Sequence, residues 1–567
     1  MKLFSKIYNW CVSPRCLFTL TVIVLTIPNM ALDFTEMMSL PGKVANVVFP
    51  VSAVWLAMTF GRRPGIMVWV MFPLMFFAAF QIVLLYLFGR SVISVDMFLN
   101  LVTTNADEAI ELLDNLVPAI VTVVAIYIPV LVLGICSIIR KEELDTAFIR
   151  RQRKAAAVAV MAGAVCLAVA YSVDKDYRME NDMYPVNVCY NLVLAVDRAK
   201  ATSDYEKTSA GFSFGARSVH DPGSAEIYVL VVGETARAMN FGIYGYDRDT
   251  TPLLSAASGL TVFTDVITQS NTTHKSVPML LSAASAEDYD RIYREKSIIT
   301  AFREAGFHTV FLSNQRPNHS FIDIFGMEAD EWKFIKDGPK AESNPSDSRL
   351  VELMTDVLEK GYRKLFVVLH TYGSHFNYRE RYPSGSAVFR PDGATEAVAA
   401  NRQELLNAYD NTIRSTDKLL SDIMAMIGGS GVISAMLYTS DHGENIFDDS
   451  RNLFLHASPV PSYYDMHVPF LIWTSESYRR VYPKEVNALA ANCRRNVASN
   501  AVVFHTMLSM GGISTVCRND SLSVADNCYV SQKRHYLNDH NRPEAIDRIG
   551  LDEEDVRMFR LRGMAFP

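Results

Sequence analysis

The chain has 567 residues, half of them hydrophobic, with 54 Lys and Arg against 61 Asp and Glu. A net charge of −7 excludes a nucleic-acid binder, which needs a basic face, and 31 Phe with 25 Tyr exclude global disorder. A mean hydropathy of +0.11 is too apolar for a wholly soluble protein, and 8 Cys are too few for a disulfide scaffold.

The apolar residues gather at one end. Runs at 16–32, 44–60, 66–88, 116–139 and 155–171 each have about the 17 residues that a helix needs to cross a bilayer. Residues 1–172 are therefore expected to form a five-helix transmembrane bundle. Lys2, Lys6 and Arg15 precede the first run, and Arg62 and Arg63 follow the second. Arg140, Lys141, Arg150, Arg151, Arg153 and Lys154 follow the fourth, whereas the other two loops hold only Lys43 and Arg90. This alternation puts the N-terminus in the cytoplasm and everything beyond the fifth run outside the membrane.

The loop 89–115 falls on the outer side. Its Asn100, Thr104 and Glu108 are four apart, so a helix aligns them on one face. From spacing alone this is an ordinary solvated face, or else a polar stripe that takes an ammonium headgroup.

Residues 173–224 read as a connector, loop-rich after 203. From 225 to 567 short apolar, β-branched runs at 227–232, 308–312, 365–369, 434–439 and 468–473 alternate with helical patterns at 297–305, 348–360, 396–426 and 500–510. That alternation predicts an α/β domain with a largely parallel sheet. Ligands of such sheets bind beyond the carboxyl ends of the strands. Those ends carry Glu234, then His370 and His375, then Asp441 and His442, with His456 further on. The loop 268–276 adds Ser270, Thr272, Thr273, His274, Lys275 and Ser276. Carboxylates and imidazoles without thiolates are the inventory of a Zn²⁺ site. His370 reads equally as a packed histidine, and His274 and Lys275 read as surface charge.

The block from Gly233 to Pro252, GETARAMNFGIYGYDRDTTP, closely resembles the signature of membrane phosphoethanolamine transferases, including the lipid A and mobile colistin-resistance enzymes. NTTHKSVP at 271–278, HTYGSHFNYRERYP at 370–383, YDNTIRSTDK at 409–418, SDHGE at 440–444 and HVPFLIW at 467–473 match in order. The resemblance implies an alkaline-phosphatase/sulfatase-like catalytic domain anchored in a bacterial inner membrane and facing the periplasm, and a monomer. It implies transfer of phosphoethanolamine from phosphatidylethanolamine to lipid A, core sugar or another envelope glycan, through a phosphorylated threonine and Zn²⁺. By this likeness Thr273 is the nucleophile and a metal ligand; Glu234, Asp441 and His442 are the other ligands. His375 and His456 contact the phosphoryl group or a second, weaker zinc. Asn100, Thr104, Glu108, His370 and Asn240 are assigned to substrate binding.

The chain departs from the lipid A branch at Gln269 and Met279, where that branch has cysteines, and Cys517 and Cys528 form a candidate local bridge. Two other activities share the fold. A sulfatase-like hydrolase or phosphodiesterase is one, although Ser276-Val-Pro-Met-Leu lacks the arginine of the sulfatase nucleophile motif. A phosphoglycerol transferase is the other.

Overall fold

The first and third apolar runs each carry a proline in mid-course, and each breaks there. The computed structural model describes residues 13–36, 38–88, 93–103, 116–175, 177–338, 344–394, 396–429 and 431–566. These divide into two compact units: the first takes the described residues up to Val102 and from 116 to Asp197, and the second takes Thr103 and everything from Arg198 on. In the first unit four helical stretches are long and apolar enough to span a membrane: Pro14–Thr35, Leu40–Met58, Val117–Ile139 and Thr146–Val173. The fifth expected span is a pair of helices, Pro64–Val70 and Phe72–Tyr86, bent by 57°. Pro73 has no N–H for the carbonyl one turn back and crowds it, which accounts for the bend. Pro28 acts in the same way between Pro14–Val24 and Ile27–Thr35.

Small residues bring the helices of this unit close together. A Cβ on Gly65 would lie 2.5 Å from the Gly134 carbonyl, and one on Gly163 would lie 2.8 Å from Phe49 Cα, as in tightly packed membrane helices. Val121, Val132, Val158, Met161 and Val165 face outward, which suits lipid better than water. The helix Val95–Thr103 opens the expected polar stripe. The Asn100 side chain, Thr104 and Glu108 lie outside the described residues. The longest element of the expected connector is the 18-residue helix Val186–Ser203, and the unit boundary falls inside it.

The second unit is built on a seven-stranded sheet. Its strands are β1 (Glu226–Gly233), β2 (Leu260–Val262), β3 (His308–Ser313), β4 (Glu331–Phe334), β5 (Lys364–His370), β6 (Ile433–Ser440) and β7 (Phe470–Thr474). Their order is β2-β7-β6-β1-β5-β3-β4. The block from β6 through β1, β5 and β3 to β4 is parallel, and β1 is buried along its whole length, as its unbroken apolar run requires.

The fifth apolar run forms β7, but it runs antiparallel to β6 and to β2. A parallel return needs a crossover of a dozen or more residues, usually a helix. Between β6 and β7 the chain forms two short strands and the four-residue helix Tyr463–Met466, so it turns back from the end at which β6 finished. Cys517 and Cys528 are both free thiols, so the expected bridge is not formed. Cys517 packs against the core while Cys528 sits exposed in its loop.

Three helices matter for the site: α1 (Thr273–Leu280), α2 (Arg402–Gly428) and α3 (Ser499–Met510). Register does the rest. Val232 lies opposite both His370 and Thr439, and Gly233 lies opposite Ser440. The residues just past β1, β5 and β6 therefore emerge side by side.

Candidate metal centre and nucleophile

Glu234 leaves β1 into a turn that an L-residue resists. Thr235, β-branched, has φ +60°, an outlier for its type. Three hydrogen bonds hold it there. Its N–H donates to Asp441 Oδ1 at 3.0 Å, its hydroxyl donates to Glu234 Oε1 at 2.8 Å, and its carbonyl accepts from the Tyr409 hydroxyl at 2.7 Å. Tyr409 stands on α2, so the crossover helix clamps the turn that carries Glu234.

Thr273 is the first residue of α1, after Thr272 as N-cap. Its Oγ1 lies 3.2 Å from Glu234 Oε1 and 3.1 Å from His442 Nε2. His442 Nδ1 faces the Gly443 carbonyl at 2.9 Å. That carbonyl can only accept, so Nδ1 carries the hydrogen and Nε2 presents a lone pair to the cluster. Asp441 Oδ2 is 3.2 Å from the same nitrogen. Glu234, Asp441 and His442 are all buried, and their ligand atoms lie within 4.8 Å of one another.

This group has too many lone pairs for its protons. One threonine hydrogen faces two acceptors, and Asp441 Oδ2 has no hydrogen-bond partner. Burial lowers the pKa of His442, but Asp441 and Glu234 outweigh it and raise the value above the usual imidazole range. Each sign is that of a place meant for a cation. Two carboxylates, one imidazole nitrogen and a hydroxyl are a donor set that Zn²⁺ accepts in tetrahedral form.

The structure brings His456 and His375 to the same place. The rings of His456 and His442 are 4.1 Å apart, and those of His456 and His375 are 6.3 Å apart. His456 Nδ1 meets Glu444 Oε1 at 3.1 Å. His375 is pushed down to about 3 by burial and then by Arg381, so it is neutral at pH 7. His370 faces Ser313 Oγ through Nδ1 at 3.1 Å, its Nε2 has no partner among the described residues, and burial pushes it down to about 4.

Asn240, expected at the substrate, is fully engaged as a brace: its Oδ1 accepts from Arg237 Nε at 2.6 Å and its Nδ2 donates to Asp410 Oδ1 at 2.7 Å. The rival hydroxyls are engaged too. Thr272 Oγ1 pairs with Ser270 Oγ at 3.1 Å, and Ser276 Oγ donates to the Asp441 carbonyl at 2.6 Å. Lys275, expected on the surface, is buried and donates to the Asn538 carbonyl at 3.1 Å, because the hairpin beyond residue 534 packs over the nucleophile loop.

Several supporting residues escape the sequence reading. Gln315 donates to Glu234 Oε2 and to the Thr371 carbonyl, both at 3.0 Å. It lies two residues past β3, so the strand-end rule would have found it. Arg237 donates to the Glu444 carbonyl at 3.0 Å and to Asp448 Oδ2 at 2.6 Å. Asn500 on α3 donates to Ser276 Oγ at 2.9 Å and accepts from the Gln269 amide at 2.6 Å. Arg237 lies inside the signature block 233–252, which marks its position but not its partners, and no local pattern marks Asn500.

Known proteins share these features. The phosphoethanolamine transferase EptC of Escherichia coli K12 is 26% identical over 336 residues, 56% of either chain, so the chain spans little more than half the length of such curated relatives. The integral membrane lipooligosaccharide phosphoethanolamine transferase A of Neisseria meningitidis has the same fold over 90% of this chain and 98% of its own, with a TM-score of 0.73 at 22% identity. The C-terminal periplasmic domain of Escherichia coli EptC, solved as a zinc complex, matches with a TM-score of 0.54 at 22% identity, over 60% of this chain and 97% of that one. The sequence pattern of the sulfatase family covers residues 226–513, half of the chain and every residue of the cluster just described, and by that match the protein belongs to the sulfatase family.

Proposed function

We propose that this protein is a zinc-dependent phosphoethanolamine transferase that moves the headgroup of phosphatidylethanolamine onto an envelope acceptor through a phosphorylated Thr273. One observation carries the reading: a single threonine hydroxyl sits within 3.2 Å of Glu234 and 3.1 Å of His442, beside an unpartnered Asp441 oxygen. Of the loop's hydroxyls at Thr268, Ser270, Thr272, Thr273 and Ser276, only that of Thr273 meets the side chains of Glu234 and His442 among the described residues. Glu234, Asp441, His442 and Thr273 would hold a Zn²⁺, which would favour the alkoxide and neutralise phosphoryl charge.

The chain's own groups supply the rest. Thr273 Oγ forms the new P–O bond as the bond to the diacylglycerol oxygen breaks. The proton lost by Thr273 is the one that oxygen needs, and His456 is placed to carry it, with Nδ1 tied to Glu444 and Nε2 unused among the described residues. In the second half an acceptor hydroxyl or phosphate oxygen attacks the phosphorus and Thr273 leaves, the proton moving the other way. The apolar helices hold the enzyme at the bilayer, which spares donor and lipid acceptor an extraction cost of about 0.8 kcal/mol per CH₂. The names of the relatives support the transferred group. Lipid A is the acceptor to test first, with the N-terminus cytoplasmic and the catalytic unit periplasmic.

The test is trapping. Full-length protein incubated with phosphatidylethanolamine is expected to gain one phosphoethanolamine by intact mass, and Thr273→Ala is expected to gain none. An adduct that persists in the variant, or a phosphoglycerol adduct from phosphatidylglycerol in its place, overturns the reading.

A further inference from the structure

The chain that leaves the last apolar helix, Thr146–Val173, changes character twice. Residues 174–182, DKDYRMEND, hold six charges, and residues 183–196, MYPVNVCYNLVLAV, hold none. Charge resumes with Asp197, Arg198 and Lys200.

The uncharged stretch begins deep among the apolar helices. Tyr184 is buried and its hydroxyl donates to the Leu74 carbonyl, near the middle of the bent pair Pro64–Val70 and Phe72–Tyr86. A single side chain answers its backbone. Tyr184 N–H donates to Asn29 Oδ1 at 2.9 Å, and its carbonyl accepts from Asn29 Nδ2 at 3.0 Å. Asn29 lies inside the helical stretch Pro14–Thr35. Non-helical backbone is tolerated at membrane depth only where protein satisfies its polar groups in this way.

The helix Val186–Ser203 then starts with its polarity inverted. Asn187 and Asn191 are buried, beside Val188 and Ala195, and Asn191 Nδ2 donates to the Ile93 carbonyl at 2.8 Å. Tyr184, Val188 and Ala195 join the core of the apolar helices, with Leu32 and Leu84. The opposite face is Cys189, Leu192, Val193 and Val196, all exposed, and Val193 and Val196 each show 59% of their surface. A helix against water puts its apolar stripe inward and its polar residues outward. Amides inside and valines outside are the arrangement of a helix in lipid. The same outward valines mark the spanning helices, at Val132, Val158 and Val165. At a rise of 1.5 Å per residue, residues 186–196 cover about 16 Å, roughly half of a hydrocarbon core of about 30 Å.

We propose that residues 183–196 re-enter the membrane on the side where Thr146–Val173 ends, and that the face of Cys189, Leu192, Val193 and Val196 lies against the acyl chains of that leaflet. The charged run 174–182 stays at the water, and Asp197 marks the exit. The segment enters and leaves on one side, so the number of crossings is unchanged. The inference rests on reading the first unit as membrane-spanning.

The experiment is fluorescence quenching of the full chain in phosphatidylcholine nanodiscs, with a fluorescent amino acid incorporated in place of Val193 or of Val196. Both side chains are exposed, so the packing is retained. Val165, on a spanning helix, supplies the lipid reference, and Glu476, an exposed residue of the other unit, the aqueous one. Labels at 193 and 196 are expected to be quenched by lipid brominated along its acyl chains to about the extent of the Val165 label, and to be shielded from aqueous iodide about fivefold relative to the Glu476 label, as for an apolar face sunk below the headgroups. Iodide quenching equal to that at Glu476 places the face in water and overturns the proposal. Quenching by neither agent shows a face covered by protein, such as a second copy of this chain, and overturns it as well. A Val165 label that brominated lipid does not quench overturns the membrane reading of the first unit, and the proposal with it.

Discussion

Arg237 offers the sharpest test of how the site is built. It is 1% exposed and its partner Asp448 is 4% exposed at the side chain. The guanidinium also bonds Asn240 and the Glu444 carbonyl and lies over the rings of Tyr409 and Tyr464 at 5.3 and 5.6 Å. Arg237→Met keeps most of the volume but leaves a buried carboxylate short of its main partner, a loss that costs about 3–5 kcal/mol. Arg402, 3.3 Å from the other Asp448 oxygen, places the expected value near the lower end.

The catalytic unit has roughly 370 residues. At about 2.1 cal/mol/K per residue, each kcal/mol shifts Tm by roughly 1.3 °C. Thermal unfolding of the full chain, followed by tryptophan fluorescence, is therefore expected to show a drop of about 4 °C. Adding Asp448→Asn removes the stranded charge, so the double variant is expected to recover part of that drop. A single variant within about 1 °C of the parent, or a double variant less stable than the single one, would refute the claim that this buried pair holds the turn.

Two further predictions address the metal ligand and pH. Gln315→Leu frees Glu234 Oε2 from its only side-chain donor among the described residues and is expected to weaken zinc binding about 10–100-fold, the usual cost of losing a partner behind a ligand; an unchanged zinc titration would count against the ligand role of Glu234. His505 Nδ1 accepts from the Asn519 amide at 3.0 Å, and burial, with Arg291 and Arg518, pushes it down to about 4. It stays neutral in the folded protein while the unfolded chain binds a proton below about 6.5. Its contribution is therefore fully present above pH 6.5 and is lost as pH falls towards 4, by about 1.4 kcal/mol per unit at most. His505→Gln should flatten the fall of Tm with pH across that window, and an identical slope in the variant would show that His505 does not drive it.

Much of the architecture was legible along the chain because its causes are local. A buried parallel strand needs a continuous apolar run, and the runs at 227–232, 308–312, 365–369 and 434–439 became β1, β3, β5 and β6. The run at 468–473 was legible as a strand but not in its direction, since direction depends on the absence of a crossover helix before it. The five apolar segments were legible as well. The breaks at Pro28 and Pro73 were visible as residues, yet whether a proline kinks or ends a helix is decided by the neighbours that satisfy the freed carbonyl.

Glu234, Asp441 and His442 were legible as candidates in the sequence, because each follows an apolar strand-like run and such sheets bind ligands beyond their carboxyl ends; their ligand roles came from the family resemblance. The strand order is tertiary, as are the distances from Thr273 Oγ1 to Glu234 and His442, the bonds of Asn240 to Arg237 and Asp410, and the places of Gln315 and Arg237 around the cluster. Those assignments rest on hydrogen bonds between residues as far apart as 211 positions. Such bonds are made only once the sheet and its crossover helices have fixed the distances, and nothing local in the chain encodes them.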